Sequence, residues 1–144
     1  MLANKVKGLV VGAWAVALLL TPGAQAQTVG TTDKVPAAQL QRWLDDGFSY
    51  AGVHKASQCV VLNVAQGSGR TLFIRCPNGW AEKIFGTARV VGETYCTSFP
   101  IPNTPPGEDC VSWHSLGQGK YEQRKGNDVD TTVTLLPQGL AAVK

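Results

Sequence analysis

The sequence has only two histidines, and one of them has a serine at a spacing that permits chemistry. His114 lies in Val111-Ser112-Trp113-His114-Ser115. Residues two apart on an extended strand share a face. Ser112 and His114 would therefore stand side by side, as a nucleophile stands beside its base. No G-x-S-x-G elbow surrounds the serine, which favours a solvent-facing strand edge over a small hydrolase using Ser112/His114. His54 precedes Lys55 at the end of an apolar segment and reads as a surface residue.

Three carboxylate clusters are candidates for acid–base or calcium chemistry: Asp45-Asp46, Glu108-Asp109 and Asp128/Asp130. The first falls where a helix should end, and the second borders a proline-rich loop. The third lacks the downstream Gly and bidentate Glu of a calcium loop. Gly117-Gln118-Gly119-Lys120 is too short to cradle a phosphate and reads as a hairpin turn. No catalytic set and no cofactor motif emerges, so the enzyme question stays open and leans towards no.

The four cysteines, Cys59, Cys76, Cys96 and Cys110, are never closer than 14 positions. Structural zinc sites use closely spaced pairs, and redox sites use C-x-x-C. Neither fits, so no metal is expected. An even count in a short exported chain points to two disulfides.

Export is expected from the start of the chain. Lys5 and Lys7 precede an apolar run from Leu9 to Leu20, broken at Pro22 and followed by Ala24-Gln25-Ala26. A basic segment, a short apolar segment and an A-x-A site make a secretory signal peptide. The run is too short to span a bilayer, which takes roughly 20 apolar residues. The expected layout is a signal peptide over residues 1–26, cleaved after Ala26, and one domain over residues 27–144. The location is then the periplasm or the medium, without a stable membrane anchor. Once Lys5 and Lys7 are removed, 11 basic residues face 10 acidic ones in mixed order. Nucleic-acid binding wants a basic patch, so that partner is not expected. An envelope protein or a small ligand is.

These residues must be positioned by short elements. Pro36 suits the first turn of a helix, with Thr32 or Asp33 as its cap. Leu40, Trp43 and Leu44 share one face, and Gly47 ends the segment. The expectation is an amphipathic helix over 36–46. Beyond it, turn residues recur roughly every 8–12 positions between segments rich in Val, Ile, Thr, Phe and Tyr. Strands are expected over 48–54, 58–65, 70–76, 80–91, 94–99, 110–116, 119–125 and 131–136. The fold class is mainly β (α+β): a short N-terminal helix packed on an antiparallel β-sandwich or barrel-like meander.

One register follows from turn chemistry. With Gly67-Ser68 as a two-residue hairpin, residues whose numbers sum to 135 face each other, and Cys59 faces Cys76. That pair falls at a non-hydrogen-bonded position, with Cα atoms about 4.5 Å apart, within disulfide reach. This favours Cys59–Cys76 among three connectivities. Val60, Leu62, Val64 and Phe73 make the opposite face apolar too, so the hairpin is expected to be central. Cys96 and Cys110 bracket the proline-rich segment 99–107, which cannot join a sheet interior. Phe99, Trp113, His114 and Tyr121 are the candidate binding surface around that loop, and the favoured alternative is that Trp80, Trp113 and Phe99 are core residues.

The stretch Gly86-Thr87-Ala88-Arg89-Val90-Val91-Gly92-Glu93-Thr94-Tyr95-Cys96, then Cys110-Val111-Ser112-Trp113, then Gly119-Lys120-Tyr121-Glu122 resembles a small exported bacterial family, catalogued as domain of unknown function 995. Ala88 stands where that family usually has Trp, and the proline loop is longer here. The resemblance implies export and a small β-rich fold. It implies no activity and no catalytic residues. The function expected is that of a non-enzymatic binding or inhibitory module, with a carrier of apolar ligands and the hydrolase as alternatives.

Overall fold

Alternating side chains and punctuating turns generate one meander. In the computed structural model of the chain, residues 33–137 are described. The expected signal peptide lies outside them. A two-residue strand β1 (Asp33–Lys34) leads into helix α1 (Ala37–Asp45). Eight strands follow: β2 (Tyr50–His54), β3 (Val60–Gln66), β4 (Gly69–Arg75), β5 (Ala81–Val91), β6 (Thr94–Ser98), β7 (Asp109–Gly117), β8 (Lys120–Lys125) and β9 (Asp128–Leu135).

Every pairing is antiparallel, and each strand from β2 to β9 pairs with the next. The β2–β9 pairing closes the circle, giving an eight-stranded antiparallel barrel. Closure leaves none of these eight strands as a free edge. β1 is the extra strand. It pairs with β7 at Ser115 and His114, beyond the point where β6 lets go of β7 at Val111.

The Gly67-Ser68 hairpin has the expected register, from Val60↔Arg75 to Gln66↔Gly69. Gly67 takes φ 57°, the left-handed value the turn needs. Both disulfides form, Cys59–Cys76 and Cys96–Cys110, with Cα atoms 4.1 and 4.0 Å apart. Each clamps two neighbouring strands or their ends. They fit an oxidising, extracellular-type environment. Among the described residues, no helix is long and apolar enough to cross a membrane.

Helix α1 forms where its apolar spacing predicts it and stops at Gly47, whose φ is 74°. Its start differs from expectation. Pro36 occupies the N-cap position and no side chain caps the helix. Asp33 is not a cap because it is already paired with Ser115 in β1. Thr32 lies outside the described residues.

Eight strands enclose a space just wide enough for side chains or one small ligand. Here aromatic rings line it. Phe48, Tyr50, Tyr95 and Trp113 pack with centroids 5.1–6.5 Å apart, mostly edge to face. Leu40 and Trp43 reach this cluster from α1, and Val35, Val111 and Val133 complete it. Trp113 and Leu40 are fully buried.

The second face of the β3–β4 hairpin corrects an expectation. It is not buried in a central position. In a closed barrel one face of every strand looks outward, and Val60 is 55% exposed.

Candidate functional site

Period-two alternation and register define two faces of β3–β4–β5. Asn63, Arg70, Leu72 and Ile84 share the inner one. Val60, Leu62, Val64, Phe73, Arg75, Lys83 and Phe85 share the outer one. Val53 of β2, opposite Val60, extends the outer face.

On that outer face the apolar residues are contiguous. Leu62 faces Phe73, and Val60 lies between Val53 and Arg75. Phe85 is 58% exposed, and Val53 and Phe73 are exposed as well. An open groove of about 640 Å³ runs here, with Val60, Leu62, Phe73, Ala81 and Lys83 along it. Lys83 Nζ sits 5.5 Å from the Phe73 ring centre and 5.2 Å from that of Phe85. Arg75, two residues beyond Phe73 on the same face of β4, adds a second positive charge, and Glu82 also lines the groove. Scattered exposed apolar residues are ordinary, whereas a contiguous apolar patch with a polar rim marks a contact site.

Ser112 and His114 do meet. The Ser112 hydroxyl and His114 Nε2 are 3.0 Å apart on the outer face of β7. Across the β7–β8 pair, Glu122 faces His114. Its carboxylate is engaged by Arg124, whose Nε donates at 2.9 Å. The Ser112 hydroxyl also donates to the Arg124 carbonyl at 3.4 Å.

The four residues of the candidate binding surface do not form one surface. Trp113 is fully buried in the ring cluster, and half-buried Tyr121 packs on Trp43 and Trp113 at 5.2 and 5.7 Å. Phe99 is half-buried and lies against Gly86, where an added Cβ would collide with its ring. His114 alone looks outward. The physical reason is β7's alternation, which puts residues 111 and 113 inside and residues 112 and 114 outside.

Glu108, Asp109 and Asp130 are held in ion pairs, whereas Asp45 accepts a hydrogen bond from Gln41 at 2.8 Å. Arg89 grips Glu108 with both Nε and Nη2, at 2.6 and 2.7 Å. That pairing pulls the Glu108 carboxyl below its ordinary pKa and raises the Arg89 guanidinium. Lys125 Nζ is 3.0 Å from both Asp109 and Asp130. Cys96, Glu108 and Cys110 come within ligand distance of one another, but both sulfurs are bound in a disulfide and offer no thiolate.

The outer apolar stripe is the candidate feature that sequence reasoning missed. Its residues were visible as a doubly apolar hairpin. The missing fact was that one face has no cover.

Fold and surface together define a class: a closed, disulfide-clamped β-barrel with an exposed apolar stripe and a ring-lined interior. Comparison with known proteins gives no match, whether to a family model, a curated protein or a solved structure.

Proposed function

We propose that this chain is an exported binding module that docks a protein partner on the outer face of β2–β5. The single observation that carries this is the contiguous exposure of Val53, Val60, Phe73 and Phe85 beside Lys83 and Arg75. Apolar area drives association, and the positive rim favours a partner whose apolar contact is edged by Asp or Glu. A second copy of the same face is the less suitable occupant, because it would bring two positive rims together. The two disulfides and the resemblance to the domain 995 family support a place in the periplasm or the medium.

The test uses the processed protein as bait against envelope and culture-medium proteins, followed by purification of the captured partner. Phe85→Glu and Val60→Glu should each weaken that partner's binding at least about thirtyfold, the size of a hot-spot loss. Their melting should barely change, since both side chains are already wet. Raising salt should weaken the wild-type complex. Unchanged affinity in both variants, or self-association of the wild type through this face in sedimentation, overturns the reading.

The 3.0 Å contact between Ser112 and His114 favours one second reading, a hydrolase. It predicts ester hydrolysis that disappears in Ser112→Ala. The engagement of Glu122 by Arg124 leaves the imidazole without that carboxylate as an orienting partner.

A further inference from the structure

The barrel interior holds a charge that its own walls do not neutralise. Arg70 is only 3% exposed. Two contacts fix its guanidinium. Its Nε donates to Asn63 Oδ1 at 2.7 Å, and Asn63 Nδ2 in turn donates to the Tyr50 hydroxyl at 3.1 Å. Its face lies on the Phe48 ring, 4.8 Å from the centre. Neither contact uses the terminal fork. Nη1 and Nη2 are both buried, and neither has a partner among the described residues.

Other buried groups of the same core share one character. The Tyr95 hydroxyl, Trp113 Nε1 and Gln123 Nε2 are also buried without partners among the described residues. Tyr95 and Trp113 pack against the same Phe48 ring, at 5.5 and 5.7 Å. Gln123 lies beside the Tyr50 hydroxyl. All four unpartnered groups can donate hydrogen bonds, and three can do nothing else there. Among the described buried polar and charged residues, Ser49, Asn63, Arg70, Thr71, Gln123 and Thr131, no carboxylate appears. Asp109 acts on Tyr50 from a distance, but it is exposed and bound to Lys125 at 3.0 Å.

A guanidinium cannot escape burial by losing its proton. Unpartnered donors sharing one core with a fixed cation suit an acceptor-only group of opposite charge. We propose that the interior of this barrel is a binding site for a small monocarboxylate, held by the Arg70 fork with the Tyr95 hydroxyl and Trp113 indole N–H as further donors. The planar fork matches the two oxygens of a carboxylate. One buried positive charge is balanced by a monoanion, whereas a doubly charged phosphate would leave an excess negative charge among aromatic rings. The rings limit the occupant to a few heavy atoms or a flat apolar body. This site stands apart from the outer face and does not depend on it.

The processed protein is titrated with sodium acetate and sodium benzoate, against sodium chloride and sodium phosphate at equal ionic strength. The readouts are the Trp113 indole N–H resonance and the melting temperature. The proposal expects a saturable shift of that resonance and a higher melting temperature with a carboxylate, beyond the chloride control. Arg70→Lys keeps the charge but loses the fork, and should weaken the response at least about tenfold. Arg70→Met should abolish it and leave melting indifferent to carboxylate. Tighter saturation by phosphate, an equal response to chloride, or no saturable response to either carboxylate overturns the proposal. The wild-type titration decides even where a variant fails to fold.

Discussion

Among single residues, Asp130 is a carboxyl on which burial and its partners act in opposite directions. Burial alone would push its carboxyl up. Hydrogen bonds from Lys125 and Thr131, with the nearby charges of Lys125 and His54, outweigh that and hold it below the ordinary 3.8. Lys125 is the mirror case: burial lowers it, and bonds to Asp109 and Asp130 more than compensate, so its ammonium is raised. An acid whose pKa is depressed in the folded state adds stability above its unfolded value and loses it as pH falls through the folded one. Stability should therefore decline below about pH 4, and Asp130→Asn should flatten that part of the curve. At neutral pH the same change should cost roughly 1 kcal/mol or less, because the pair is partly solvated. Urea unfolding from pH 7 to pH 2 checks both. At this scale little was legible beforehand. Arg70 follows the turn in Gly69-Arg70-Thr71 and has the look of a solvated hairpin residue; only the Phe48 ring and Asn63 explain its burial.

Among the elements, α1 is the one held to the barrel by its side chains rather than by a strand ladder. It is short, with no side-chain cap at its start, so packing must hold it. Leu40 is fully buried against the ring cluster, and Trp43 meets Trp113 at 5.8 Å and Phe48 at 5.7 Å. Leu40→Ala should cost about 2–5 kcal/mol, the range for buried leucines. Denaturant unfolding gives the number, and near-ultraviolet circular dichroism should report loosened aromatic packing. A cost under about 1 kcal/mol would mean that the helix is not integral to the core. The helix was readable from Leu40, Trp43 and Leu44 alone, since a 3.6-residue period is local. Strand β1 was not. Two residues carry no period, and their pairing exists only because β6 leaves β7 at Val111.

For the whole molecule, closure and cross-linking act together. β2 and β9 meet although most of the chain lies between them, and ordering so long a loop has an entropic cost. The disulfides offset part of such costs by restricting the unfolded chain. Cys96–Cys110 closes a loop spanning 14 positions, and the chain-entropy estimate for that is about 3 kcal/mol. The double variant Cys96→Ala/Cys110→Ala should lose about that much, read as a lower urea midpoint with a slope equal to or steeper than the wild type's, since the freed chain exposes more surface when unfolded. The same loss should follow in the wild type on full reduction of that bridge. Retained stability would show that the unfolded chain is already constrained by other means.

The chain by itself determined strands β2–β9, helix α1, the Gly67-Ser68 register and hence the Cys59–Cys76 bridge, because alternation and turn chemistry act over a few neighbouring residues. It did not determine which apolar face is the inside. Both faces of β3 and β4 are rich in apolar side chains, and a period of two says only that they differ. The contact of β2 with β9 makes that choice, since closing the sheet turns Asn63, Arg70 and Leu72 inward and leaves Val60, Phe73 and Phe85 to the solvent. The stripe, the buried guanidinium and the loss of Trp113 as a surface residue all follow from that one long-range pairing, which no local spacing encodes.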